Sequence, residues 1–291
     1  MWNAIAKQLS DTLQFDFKIL ERMRISGGNI NENYEISDGE QRYFVKINAS
    51  EFLPMFEAEQ DNLTTLRNTN TVNVPEFITL GKTRGNAFII LNYLPTKSLY
   101  QCRNSLEFGE QLAELHAIHT QLEYGFDNDN YIGTTVQPNR WHKKWAQFFA
   151  DQRIAWQLSL LAEKGIRVAQ DNDALLDSVY YGLKNHNPSP SLLHGDLWSG
   201  NAANGPFGPL CFDPACYYGD RECDIAMTEL FGGFDSDFYR GYQSVYPLAD
   251  GYQRRKSIYN LYHVLNHCNL FGGHYIQQAE QMIDELMLSY S

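Results

Sequence analysis

Positive charge is scarce in this chain. Across 291 residues, 23 lysines and arginines face 35 aspartates and glutamates, a net charge of −12. The basic residues are scattered, the densest cluster being Arg254, Arg255 and Lys256. Nucleic-acid binders carry a basic patch or stripe, so this balance argues against a nucleic-acid partner, and the cluster reads as a solvated helix face. Long apolar runs are also missing. The longest, over 87–94, falls far short of the roughly 20 residues of a membrane-spanning helix. The opening residues show no basic stretch leading into an apolar one, so no signal peptide is expected. Cysteines number only five. That odd count fits a reducing cytoplasm better than a disulfide framework, and the spacing of Cys211, Cys216 and Cys223 matches no common zinc pattern. There is no internal repeat and no low-complexity segment.

What is present is enough apolar residue, 43% of the chain with 14% aromatic, for two lobes with packed interiors. The first third alternates short strands with one helix. Strands are expected near 31–38 and 41–48 around the turn Ser37-Asp38-Gly39, and near 76–80 and 86–92. Between them, Phe56, Leu63 and Leu66 recur at helical spacing within 51–67. Helices are expected over 105–119, 140–164, 171–184 and 257–288, with two short apolar runs at 191–193 and 210–212. This is an α+β layout, with a strand-rich part over 1–94 and a helical part over 95–291, joined near Asn92 to Pro95.

The strongest chemical signal is His194-Gly195-Asp196-Leu197-Trp198-Ser199-Gly200-Asn201. It departs from the kinase catalytic loop H-R-D-L-x-x-x-N only at the arginine. A short loop of this kind sets an aspartate beside a substrate hydroxyl and an asparagine beside a metal ion on the phosphates. Asp213-Pro214-Ala215 follows an apolar run, in the place of the kinase D-F-G, where a carboxylate can chelate magnesium. Tyr43-Phe44-Val45-Lys46 resembles the strand lysine that holds the α- and β-phosphates, with Glu59 as its candidate partner on the helix. Each piece alone is commonplace, whereas their order is not. Ser26-Gly27-Gly28-Asn29-Ile30 bears glycine but lacks the G-x-G-x-x-G pattern. No A-P-E follows Asp213, and Gly195 stands where protein kinases have the arginine that meets a phosphorylated segment. Both departures point away from protein substrates and toward a small-molecule kinase.

Over nearly its whole length the chain resembles the fructosamine kinases (ketosamine-3-kinases), their bacterial branch in particular. The resemblance rests most on HGDLWSGN, on FDPACYYGDRECDIAM, on Gln137-Pro138-Asn139 and on LNHCNLFGGHY at 265–275. It implies a two-lobed protein-kinase-like fold and transfer of the ATP γ-phosphoryl group to the 3-hydroxyl of a ketoamine. Ribulosamine, erythrulosamine and fructosamine types are the implied substrates, as free or protein-bound glycated amines, and the implied role is deglycation repair in the cytoplasm. Carried over to this sequence, Asp196 is the base, and Asn201 and Asp213 are the magnesium ligands. Lys46 with Glu59 holds the phosphates beneath Gly27-Gly28-Asn29, and Asn92-Tyr93-Leu94 meets the adenine. Asp224 and His194 brace the catalytic loop, while Trp198 and His267 line the sugar pocket. A second reading of Trp198, as a core anchor behind the loop, stays open. So do an aminoglycoside- or choline-type kinase, an inactive ATP-binding module, and a monomeric or dimeric state.

Overall fold

The computed structural model describes residues 1–26, 30–99 and 104–290. The chain opens with helix α1 (Trp2–Leu13) and a five-stranded antiparallel sheet, β1 (Glu21–Ile25), β2 (Glu32–Ser37), β3 (Arg42–Ala49), β4 (Phe77–Thr83) and β5 (Asn86–Asn92), in the order β1-β2-β3-β5-β4. Helix α2 (Leu53–Asn68) is inserted between β3 and β4. Successive strand residues point to opposite faces, and the central strands use both. Val45, Ile47, Phe88 and Ile90 pack with Ile5, Leu9 and Phe17 under α1. Ala87, Ile89 and Leu91 pack with Met55, Phe56 and Leu63 of α2. That second core runs on without a break into the helical part, so α2 is held from both sides.

The remainder comprises α3 (Ser105–His116), the hairpin β6 (Asn130–Ile132) and β7 (Thr135–Gln137), α4 (Trp145–Phe149), α5 (Trp156–Glu163) and α6 (Asn172–Leu183). Then come β8 (Ser191–Leu193), the hairpin β9 (Ala202–Gly205) and β10 (Gly208–Cys211), and β11 (Tyr217–Gly219), which pairs back onto β8. Helices α7 (Glu222–Leu230), α8 (Ser236–Val245), α9 (Tyr252–Phe271) and α10 (His274–Tyr290) complete the chain. Among the described residues, no helix is long and apolar enough to cross a membrane.

The expected strands and helices appear within a few residues, with instructive differences. The helix expected over 140–164 starts at Trp145 and widens to a π-helix over Ala150–Ala155 between α4 and α5. Such a turn swells the helix by one residue, and Arg153, on this segment, is wholly buried over the faces of Tyr217 and Phe148. The single helix expected over 257–288 is two. Gly272 and Gly273 both take positive φ, 61° and 59°, which ends α9 and turns the chain back into α10. Arg255 does not lie on a solvated face. It is buried and pairs through two hydrogen bonds with Glu222 at 2.7 Å, while Lys256 pairs with Glu229.

Candidate active site

The alternation of β3 that turns Val45 and Ile47 under α1 turns Lys46 toward α2. Its Nζ lies 2.5 Å from Glu59 Oε1 and also contacts the carboxylate of Asp213, joining strand, helix and the Asp213 turn at one ammonium. Burial alone would lower the Lys46 pKa. The charges of Asp213 and Glu59 outweigh it and hold the pKa above its ordinary value, so the side chain stays a fixed cation.

The loop after β8 is braced from beneath by one buried carboxylate. Asp224, on α7, accepts hydrogen bonds from the backbone N–H of His194 at 2.7 Å and of Gly195 at 2.8 Å, and contacts His116 Nε2 at 3.1 Å. Burial pushes this carboxyl up, but the hydrogen bond and charge of His116 and its other donors outweigh burial and hold it below the usual range. His194 is fully buried: its Nδ1 accepts from the Asp196 N–H while Nε2 faces the carbonyl of Phe212. Those partners select the neutral tautomer protonated on Nε2, and burial lowers the ring's pKa in the same direction. The sequence departure at Gly195 has a structural reason. Its φ is +83°, and a Cβ there would come 2.0 Å from the carbonyl oxygen of Ala215. An arginine has no room at this position. Asn201 donates its Nδ2 to the carbonyl oxygen and carboxylate of Asp196, leaving its amide oxygen for another partner. Burial, then the charge of Asp213, pushes Asp196 up to about 7.

Asp213 is one of three non-glycine residues with positive φ among the described residues, 58°, a conformation that costs about 1 kcal/mol or more unless its surroundings impose it. They do. The three following carbonyls are each held by a buried side-chain amide: Pro214 by Asn62 of α2 at 2.9 Å, Ala215 by Gln137 at 3.1 Å and Cys216 by Asn130 at 2.7 Å. The amides are themselves linked, Asn130 to Asn62 and Gln137, and Tyr262 donates to Gln137 at 2.7 Å. Arg153 and Asn139 close the outer end of this network. This is where Gln137-Pro138-Asn139 sits.

Lys46, Glu59, Asn62, Asp196, Asn201 and Asp213 line one cleft of about 1050 Å³ that also reaches Asn92, Tyr93 and Leu94. Ligand pockets commonly run about 300–1,000 Å³, so the cleft has room for a nucleotide with a small acceptor. Asn92 uses its N–H and its side-chain oxygen on Glu76, so it clasps the strand end and does not read a base with its side chain. The glycine loop Gly27-Gly28-Asn29 lies outside the described residues. Trp198 is 37% exposed on the cleft wall, which sets aside the core-anchor reading. Its indole folds over Gly200, where a Cβ would come 2.2 Å from the ring. His267 lines the same end, together with Phe231, Phe271 and Tyr275. Sequence reasoning missed these three, as it missed His116, Asn62 and Asn130. Phe271 and Tyr275 lie in the stretch 265–275 that carries the resemblance but had no role read for them, the other four stand in no motif, and only the fold brings all six to the site.

The fructosamine kinase family profile matches residues 1–289. The chain belongs to the fructosamine kinase family. Relatives named probable ketoamine kinases include a Vibrio parahaemolyticus protein, 63% identical with 99% of each chain covered, and a Vibrio cholerae protein, 57% identical with 100% of each covered. A crystal structure from Haemophilus somnus 129PT, designated a fructosamine-3-kinase, superimposes with a TM-score of 0.93 at 37% identity, over 98% of this chain and 97% of the other. Membership makes the protein a phosphotransferase of the ketoamine kinase kind. The choline kinase LicA of Streptococcus pneumoniae, 17% identical with 99% of each chain covered, shares the protein-kinase-like fold at a TM-score of 0.64.

Two predictions follow from the loop. Gly195→Ala forces a clash with Ala215 and a strained φ. It should lower the melting temperature by about 5 °C or more, on the scale of 1–3 kcal/mol for a strained backbone residue, and turnover should fall with it; thermal unfolding and a rate assay check this. Asp196 has a folded pKa raised above its unfolded value. Its contribution to stability is therefore full below the unfolded pKa and lost as pH rises through about 7. Without nucleotide, Asp196→Asn should raise the melting temperature by a few degrees near about pH 8 and leave it unchanged near about pH 4. Equal shifts at both would show that the carboxylate is not strained by its ionisation.

Proposed function

We propose that this protein transfers the γ-phosphoryl group of ATP to the 3-hydroxyl of a ketoamine of the ribulosamine, erythrulosamine or fructosamine type, with residues 1–94 as the nucleotide lobe and 95–291 as the catalytic and acceptor lobe. One observation carries the reading. A single cleft is lined by the Lys46–Glu59–Asp213 cluster, by Asp196, whose carboxyl burial pushes up, and by the aromatic side chains beside Trp198.

In this reading Lys46, fixed by Glu59, binds the phosphates, and Asn92-Tyr93-Leu94 meets the adenine. Asp196 accepts the proton of the acceptor hydroxyl while the hydroxyl oxygen bonds to the γ-phosphorus. The bond from that phosphorus to the bridging oxygen breaks, and ADP leaves. Desolvation suits Asp196 to this role, since a base works best with a pKa near the operating pH. Magnesium fits the donor set: the Asp213 carboxylate and the free amide oxygen of Asn201 are the hard oxygen ligands it prefers. Bound there, the ion would neutralise charge on the phosphates. Asp224 and His194 keep the loop in place without touching the reacting atoms, and Trp198 packs against the acceptor. The 3-phosphate then eliminates and releases the amine, which makes the reaction a repair of glycated amines, placed here in the cytoplasm.

The test is ATP consumption with ribulosamines, erythrulosamines, fructosamines, an aminoglycoside and choline as acceptors. Turnover should be confined to ketoamines, and a preference for choline or the aminoglycoside would overturn the assignment. Asp196→Ala should lower kcat by about 10²–10⁴-fold with nucleotide binding kept; more than a tenth of the original kcat would remove Asp196 as the base. In Asp213→Asn, a magnesium titration of activity should shift to higher metal concentration, and an unshifted curve at full activity would make Asp213 a turn residue only.

A further inference from the structure

The wall of the cleft beyond Asp196 is aromatic over a long arc, built from four separate parts of the chain. Trp198 of the catalytic loop meets Phe231, just after α7, edge to face at 6.3 Å. Phe231 stacks on His267 of α9 at 4.8 Å and 22°. His267 in turn meets Tyr275 of α10 at 4.8 Å and Phe271 at 5.5 Å, both edge to face. All five line the cleft, and Trp198 and Phe271 remain 37% and 46% exposed. Exposed aromatic faces gathered in one concavity mark a binding surface.

The charges around this wall are one-sided. Asp196, two residues before Trp198, and Asp213 line the same cleft. Among the described cleft residues the fixed cations are Lys46, taken up by Glu59 and Asp213, and Arg24, on β1 within 3.9 Å of Glu32. Neither belongs to the wall. Burial, then the charge of His274, pushes His267 down to about 4, so its ring is neutral, and its Nδ1 is buried without a hydrogen-bond partner among the described residues. Aromatic faces attract cations, and two nearby carboxylates add to that field.

We propose that Phe231, His267, Phe271 and Tyr275 form a subsite for the nitrogen end of the acceptor, selecting a protonated amine with an uncharged apolar substituent and rejecting a substituent that carries a carboxylate. The inference rests on the ketoamine reading. In a ketoamine the nitrogen is only two carbons from the carbon that carries the 3-hydroxyl. With that hydroxyl on Asp196, the nitrogen stands at the start of the wall and its substituent runs along it. The wall then sets which amine is accepted, independently of the sugar.

The test compares adducts of one sugar with butylamine, benzylamine and glycine, assayed by ATP consumption. The butylamine and benzylamine adducts should exceed the glycine adduct in kcat/KM by about tenfold or more. Phe231→Ala, and Phe231→Leu as the volume-keeping variant, should raise KM for the benzylamine adduct by about tenfold, with little change for the glycine adduct or in KM for ATP. His267→Arg should narrow the gap by improving the glycine adduct. Equal kcat/KM for all three adducts, or losses in Phe231→Leu that fall equally on the benzylamine and glycine adducts, would overturn the subsite alone. Absence of turnover with every adduct would overturn the ketoamine reading and this inference with it.

Discussion

Three consecutive backbone carbonyls, those of Pro214, Ala215 and Cys216, set the terms for the whole centre. They follow Asp213 into the interior, and each receives a side-chain amide hydrogen, from Asn62, Gln137 and Asn130. A buried carbonyl left without a donor costs several kilocalories at worst, so the segment can occupy only the path along which the amides lie. Through this the unusual backbone of Asp213 is imposed, and so is the position of Gly195, whose Cα packs on the Ala215 carbonyl. Asn62 lies three residues after Glu59 on α2, on the same helix face. The helix that presents Glu59 to Lys46 is therefore fastened directly to the segment that presents Asp213. The Lys46 ammonium, touching both carboxylates, closes the ring. In a fold where swinging of this helix would break the lysine–glutamate pair, the Asn62 amide opposes the swing, because moving α2 would strip Pro214 and Asn130 of their partner at once.

The electrostatics have the same economy. Asp196, Asp213 and Asp224 lie close enough for the charge of the other two to raise the pKa of Asp196. Asp224 is relieved of its burial by two backbone N–H groups and His116, and stays ionised. Among the described residues Asp196 has only the Asn201 amide to help it, and its ionised form is the disfavoured one. Two carboxylates within one short stretch of structure are thus driven in opposite directions by the donors around them. Evenly shared donors would leave neither Asp224 held down nor Asp196 pushed up.

The residues that meet at the cleft were legible in the sequence where geometry is local. His194 to Asn201 lie within one loop, so their spacing is written in the chain, and the alternation of β3 likewise places Lys46. Where a part depends on contacts between distant segments, the signal fades. The amides of Asn62 and Asn130 converge on 214–216 from 152 and 86 residues away, and His116 reaches Asp224 across 108 residues. Arg255 stood in a cluster that looks solvated, because charge alone does not disclose that Glu222 is buried opposite it. The helix ending at Gly272 and the π-helix around Arg153 depend on backbone geometry that helical periodicity passes over.

The absent activation segment and the missing arginine are one fact seen twice. From Asp213 the chain has only eight residues before α7 begins at Glu222, and it uses them to lay β11 along β8, Tyr217 beside Leu193. This pairing brings the Ala215 carbonyl against Gly195, so the side chain that would contact a long phosphorylated segment is excluded by the strand that replaces that segment. Among the described residues, the stretch from Asp213 to α7 is taken up by this pairing and offers no long loop along which a peptide could be laid. What remains open to an acceptor is the side formed by Trp198, Phe231, α9 and α10. A fold that shuts out an extended chain at the floor and offers aromatic faces at the side is suited to a small, compact molecule. The positions of Gly195 and β11 therefore bear directly on the size of molecule the cleft admits.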